Sequence, residues 1–264
     1  MRIAAAFAAC LAFAASSRAE DVVQQRLSKS PRHQEWVKLQ HGGRTVRAFI
    51  VFPEVKEKAP AVVVIHEIFG MTDWVRSAAD QLAEAGVIAI APDLLSGAGP
   101  NGGDSSSFPS VDAARKAVSE LSPAQVTADL NAAADYVARL PAANGKVSVA
   151  GFCWGGKESF RFATSRADLI AAYVFYGNGP TDTAQLAHIK CPVHGFYGGN
   201  DARVTATVEP TKEAMKAAGK KFDPVIYDGA GHGFLRKGEL GEGGAADKKA
   251  RDAAWEKWRA LLKQ

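Results

Sequence analysis

Three side chains in this sequence have the types and the order that covalent acyl transfer needs. Cys153 is the centre of Gly151-Phe152-Cys153-Trp154-Gly155-Gly156, between the apolar run Val147–Ala150 and a helical stretch. The pattern is G-x-C-x-G, a sharp strand-to-helix turn that in its serine form presents a nucleophile at the top of a sheet. Such a turn crowds its neighbours, so glycine on both sides is a steric requirement. It also sets the thiol at the positive end of the following helix, a field that favours thiolate. Asp201 follows the run Val193–Tyr197, in Gly198-Gly199-Asn200-Asp201, and His232 lies in Gly229-Ala230-Gly231-His232-Gly233-Phe234, beyond Pro224–Tyr227. Asp201 would orient the imidazole and stabilise its charged form, while His232 would activate the thiol and later a water. A buried structural cysteine in a glycine-rich turn is the plainer reading of the pentapeptide, and a lone Asp or His means little. Three such groups at one sheet edge point to nucleophilic catalysis.

The elements that must position them are readable as alternating short and long periodic segments. Strand candidates are Trp36–Gln40, Val46–Phe52, Ala61–His66, Val87–Ala91, Val147–Ala150, Ala171–Tyr176, Val193–Tyr197 and Pro224–Tyr227. The first two flank His41-Gly42-Gly43-Arg44, a hairpin connection. From residue 61 onward the runs are mostly unbroken apolar, as parallel strands covered on both faces require. Helices are expected over Trp74–Ala85, Val126–Leu140, Trp154–Thr164, Val208–Ala218 and Ala245–Leu262. This repetition implies an α/β protein with a mostly parallel central sheet of about eight strands and helices on both faces. The order nucleophile, acid, histidine is that of the α/β-hydrolase fold. The Gly- and Ser-rich segment Ser96–Ser110 follows a strand at the carboxyl edge of the sheet, and reads as a lid, a cleft wall or a surface insertion.

Composition narrows the field. The chain has 264 residues, 32 basic against 28 acidic side chains and three cysteines, none in a C-x-x-C pair. No dense basic block interleaved with aromatics is present, which argues against a nucleic-acid partner. Thiolate zinc sites of the paired pattern and a disulfide framework are excluded as well. Met1-Arg2, the apolar run Ile3–Ala15 and Ser17-Arg18-Ala19 have the form of a signal peptide over residues 1–19, too short to span a bilayer. That predicts a secreted, periplasmic protein without membrane insertion after processing, an irregular leader over 20–35 and a single domain over 36–264. Trp255, Trp258, Leu261 and Leu262 read as the core face of a final helix or as a dimer patch, so the chain is expected as a monomer or a homodimer. His66, His188 and His194 lack H-E-x-x-H spacing, and no metal is expected.

The segments Val62–Gly70 (Val-Val-Val-Ile-His-Glu-Ile-Phe-Gly), Ala91-Pro92-Asp93-Leu94 and Gly151–Gly156, with those of Asp201 and His232, make the sequence resemble the dienelactone hydrolases. The resemblance runs from about residue 36 to the end and implies an eight-stranded α/β-hydrolase fold with no cofactor. It implies that Glu67 accepts a hydrogen bond from the resting thiol and helps form the thiolate when substrate binds. The oxyanion donors would be the backbone N–H groups of Trp154 and Ile68. The family holds its substrate carboxylate with two arginines. Arg236 matches one, but Gly97 stands where the other is expected. Arg203 is either a substitute cation or a solvated loop residue. Phe69, Trp154, Tyr176 and Phe234 would suit a flat or cyclic ester. The expectation is a hydrolase of small carboxylic esters or lactones acting through a thioester. The alternatives are a general carboxylesterase or thioesterase, and a non-catalytic ligand-binding relative.

Overall fold

Val- and Ile-rich runs of five to ten residues, apolar on both faces, have to be covered on both faces, and the computed structural model shows how. It describes residues 22–264, so the expected signal peptide over 1–19 lies outside the described residues. The strands are β1 (Gln34–His41), β2 (Arg44–Val51), β3 (Ala59–Ile65), β4 (Ile88–Pro92), β5 (Ala143–Phe152), β6 (Leu169–Phe175), β7 (Val193–Gly198) and β8 (Phe222–Tyr227). They form one sheet in the order β1-β2-β4-β3-β5-β6-β7-β8. The β1–β2 and β2–β4 pairs are antiparallel and the others parallel. All eight expected strands are therefore present in an α/β-hydrolase arrangement.

Helices fill both faces. Residues 22–29 form α1, followed by α2 (Asp73–Glu84), α3 (Val111–Glu120), α4 (Pro123–Ala138), α5 (Trp154–Ser165), α6 (Thr183–Leu186), α7 (Ala202–Thr205), α8 (Val208–Ala217), α9 (Phe234–Leu240) and α10 (Ala245–Leu262). Val126 and Leu130 of α4, Phe160 of α5 and Met215 of α8 pack with Ile50, Val63 and Val149 on one face. Trp74 and Leu82 of α2 pack with Trp258 of α10, Val64 and Phe152 on the other. Trp255 and Trp258 are thus buried core rather than a dimer patch. The chain steps from β3 sideways to β4 and returns past β3 to β5, so the direction of winding reverses there. That leaves a crevice outside the carboxyl ends of β3 and β5, where ligands bind in open α/β sheets. Glu67 and Ile68 follow β3, and Cys153 follows β5.

One segment departs from expectation. In the leader expected to be irregular over 20–35, residues 22–29 are helical: α1 buries Val23 and rests Leu27 on the α2–α10 side, an i, i+4 pair too short to register as a period. Below it the buried Asp80 of α2 accepts hydrogen bonds from Ser30 Oγ at 2.5 Å, Arg32 Nε at 2.9 Å, Arg32 Nη2 at 2.7 Å and Gln34 Nε2 at 3.3 Å. Ser96–Ser110 is tied to the loops beside it. It folds into two single 3₁₀ turns, Pro100–Gly102 and Ser105–Ser107. Ser105 donates to Asp93 through its N–H at 3.0 Å and its hydroxyl at 2.6 Å, and Met71 N–H donates to Ser105 Oγ at 2.9 Å. The helix α3 after it was not anticipated, because its buried stripe is only Ala114 and Val118.

Glu239 of α9 is a second buried anchor. It accepts from Trp74 Nε1 at 3.0 Å and Gln81 Nε2 at 2.9 Å, with Arg26 at 3.6 Å and Arg251 at 3.9 Å.

Removing one partner of a buried, hydrogen-bonded charge leaves the rest unsatisfied. Asp80→Ala is accordingly expected to cost about 3 kcal/mol. The readout is the urea unfolding midpoint, and the same measurement on the exposed Asp112→Ala should move little.

Candidate active site

Phe152 ends β5 and Trp154 opens α5, so Cys153 alone makes the turn, at φ 56° and ψ −114°. A residue with a side chain adopts that conformation only when its surroundings over-determine it. Here Cys153 N–H donates to Phe175 O at 3.0 Å, and Cys153 O accepts from Lys157 N–H at 3.2 Å. The flanking glycines are steric. A Cβ on Gly151 would stand 1.9 Å from Gly155 O, and one on Gly155 would stand 2.4 Å from His66 O and 2.5 Å from Ile65 O.

The thiol meets the imidazole of His232. Nε2 lies 3.1 Å from Cys153 Sγ, and Nδ1 lies 2.5 Å from Asp201 Oδ2. A carboxylate only accepts, so Nδ1 carries the proton and Nε2 turns its lone pair to the sulfur. Asp201 is buried at the end of β7, where its N–H donates to Gly198 O at 3.1 Å and its carbonyl accepts from Thr205 N–H at 2.8 Å. The His232 loop is held by Gly231 N–H donating to Asp247 Oδ1 at 2.7 Å, and by Tyr176, whose ring meets the imidazole edge-on at 5.2 Å. The three residues singled out from sequence are therefore one connected chain of contacts.

The electrostatics differ from expectation. Burial pushes the Cys153 thiol up, the charge of Glu67 adds to that, and the N–H groups of Trp154 and Ile68 with the Arg203 guanidinium oppose it. The helix end does not leave a resting thiolate. The N–H groups of Trp154 and Ile68, the residues expected to supply the oxyanion donors, are near enough to the sulfur to pull the thiol down. Glu67 does not contact the thiol, whose proton already faces Nε2. It accepts from Arg236 Nε at 2.9 Å and from Tyr176 OH at 3.5 Å. Burial pushes its carboxyl up to about 7, against the pull of Arg236 and Tyr176.

The residues expected to bind substrate divide. Arg236 is engaged by Glu67 and by Glu242 at 2.5 Å, with its guanidinium 5.4 Å from the Phe69 ring. It is not a free clamp. Phe234 is fully buried against Tyr176 and Tyr227, and Tyr176 is buried too, so these two shape the site from behind. Phe69 lines a cleft of about 480 Å³ with Trp74, Val111, Leu240 and Val23 of α1, a wall that sequence reasoning missed. Arg203 is exposed, and no carboxylate lies within ion-pair distance of it among the described residues. Cys191 is a buried free thiol pushed up to about 11 by burial.

The model of the dienelactone hydrolase family matches residues 46–264. The chain belongs to the dienelactone hydrolase family. A Methylorubrum extorquens protein named for carboxymethylenebutenolidase activity is 32% identical over 210 residues, covering 75% of this chain and 71% of its own. A Salmonella typhimurium protein of the same name is 33% identical over 204 residues, 73% and 74% of the two chains. The crystal structure of a Klebsiella pneumoniae protein named for dienelactone hydrolase activity superposes with a TM-score of 0.76 at 27% identity, covering 88% of this chain and 99% of that one. The stretch with α1 and β1 lies ahead of the residues matched by the family model.

The Glu67 carboxyl holds its proton more tightly folded than unfolded. Its stabilising contribution is full below the unfolded value of 4.5 and is lost as pH rises through about 7. Relative to wild type, Glu67→Gln should therefore gain melting temperature between pH 5 and pH 8. Without the carboxylate charge, Cys153 should also be alkylated faster by iodoacetamide at pH 7.5. A rate unchanged in the variant would rule out the Glu67 charge as a cause of the raised thiol.

Proposed function

We propose that this dienelactone hydrolase family member cleaves small carboxylic esters or lactones with Cys153 as nucleophile. The observation that carries the reading is His232, within hydrogen-bonding distance of Cys153 and Asp201 at once. His232 Nε2 takes the thiol proton as sulfur attacks the carbonyl carbon, and Asp201 stabilises the imidazolium. The charge that develops on the carbonyl oxygen is met by the N–H groups of Trp154 and Ile68. Collapse expels the alcohol, which takes the proton back from His232, and leaves a thioester. His232 then deprotonates a water, which attacks the thioester. The acid leaves and the thiol recovers its proton. A raised thiol suits this sequence, since the proton passes to His232 only as the new bond forms.

The charge arrangement favours a neutral substrate over a carboxylate. Arg236 already serves two carboxylates, and Gly97 has no side chain to offer. Arg44 reaches the space beside Gly97 but is bound to Asp129 and to Leu94 O. Arg203, with no carboxylate within ion-pair distance among the described residues, is a cation that can meet an anionic group. The segment 1–19 supports export, in which case the chain would act outside the cytoplasm.

Cys153→Ala and His232→Ala should each lower kcat/KM for p-nitrophenyl acetate by at least about 10³-fold. Neutral esters should be turned over faster than carboxylate-bearing esters of the same leaving group, and Arg203→Ala should widen that difference. Equal loss on both classes in Arg203→Ala would remove Arg203 from substrate binding. A wild-type protein that binds such esters without turnover would favour the ligand-binding alternative.

A further inference from the structure

We propose that His66 is a positioning residue that fixes both backbone donors facing the Cys153 sulfur; this rests on the ester-hydrolysis reading. His66 is the first residue beyond β3 and is fully buried. Its Nδ1 lies 2.7 Å from Glu67 O. A carbonyl only accepts, so Nδ1 carries the proton and donates. Burial pushes the imidazolium down, and the ring is neutral. The Glu67 carbonyl and the Ile68 N–H are two ends of one planar peptide unit. Holding the oxygen therefore aims the N–H. Gly70 N–H donates to the same oxygen at 3.2 Å.

The same ring also bears on the second donor. Its face lies on the Trp154 indole, with centroids 5.5 Å apart and planes 15° from parallel. Trp154 is the first residue of α5, and its N–H is the other group directed at the sulfur. One side chain thus links the end of β3 to the start of α5 across the oxyanion site. His66 Nε2 is buried and meets no hydrogen-bond partner, a cost that phenylalanine would not carry. A ring chosen only to fill this space would lack both nitrogens. The hydrogen bond from Nδ1 is what the histidine adds.

Two variants separate the interactions. His66→Phe keeps a ring on Trp154 and loses the donor. His66→Asn puts an amide N–H near the place of Nδ1 and loses the ring. Each full-length variant is assayed for p-nitrophenyl acetate hydrolysis and for iodoacetamide alkylation of Cys153, read by mass spectrometry of its peptide. Alkylation displaces iodide from a saturated carbon, so no oxyanion forms, whereas ester cleavage needs both donors. His66→Phe is expected to lower kcat by about 10- to 100-fold with KM little changed, while alkylation stays within about 3-fold of wild type. His66→Asn should lie closer to wild type in kcat than His66→Phe. Hydrolysis by His66→Phe within about 2-fold of wild type, or alkylation falling in step with hydrolysis, overturns the proposal. If His66→Phe does not fold, His66→Asn decides, because alkylation falling in step with hydrolysis there shows a general disturbance of the site and is the overturning result. Wild-type protein inert toward the ester overturns the hydrolase reading and this one together; active wild type with an indifferent His66→Phe overturns this one alone.

Discussion

The end of β3 and the turn after β5 approach so closely that the residue between them can carry no side chain. Gly155 sits against the carbonyl oxygens of Ile65 and His66, within the space a Cβ would need. Much of the site follows from this contact. It brings the peptide after Glu67 to the same sulfur that Trp154 N–H faces, so two donors from distant parts of the sequence converge without a dedicated loop. It also explains why the turn tolerates a cysteine in a left-handed conformation. Its N–H donating to Phe175 O, its carbonyl accepting from Lys157 N–H and the sheet itself hold that residue where an isolated chain would not.

Around that contact the charges are arranged as pairs. Asp201 with His232, and Glu67 with Arg236 and Glu242, leave the thiol in a buried place where the neutral form is preferred. A neutral thiol is a weak nucleophile and resists oxidation, because the thiolate is the reactive species in both cases. In the proposed mechanism the imidazole 3.1 Å away converts it at the moment an electrophile arrives. On that reading, burial that raises the resting thiol and a base placed to remove its proton are complementary.

Long apolar runs and the glycines that punctuate them made the eight strands and most of the long helices legible, because these signals are local in sequence. Cys153, Asp201 and His232 were legible for a related reason: each follows a strand, and parallel strands deliver their ends to one edge. The helix over 22–29 was not, since its packed stripe is two residues and its charged anchor, Glu239 facing Arg26, lies more than two hundred positions away. Nor was the engagement of Arg236 by Glu67 and Glu242. A pairing across 169 positions leaves no trace in local pattern. The thiol was misjudged in direction because burial, which depends on the whole fold, outweighs the helix end, which depends on the turn alone.

Glu239 bears on how the site can come apart. The helix α9 has only seven residues, well below the length that holds itself in water, and it carries Arg236 just past the His232 loop. It is kept in place by Glu239, whose carboxylate gathers groups from α1, α2 and α10. Those helices cover one whole face of the sheet. The segment bearing Arg236 therefore has few ways to open by itself, and its amides should exchange with solvent hydrogen largely through events that also expose the α2–α10 face.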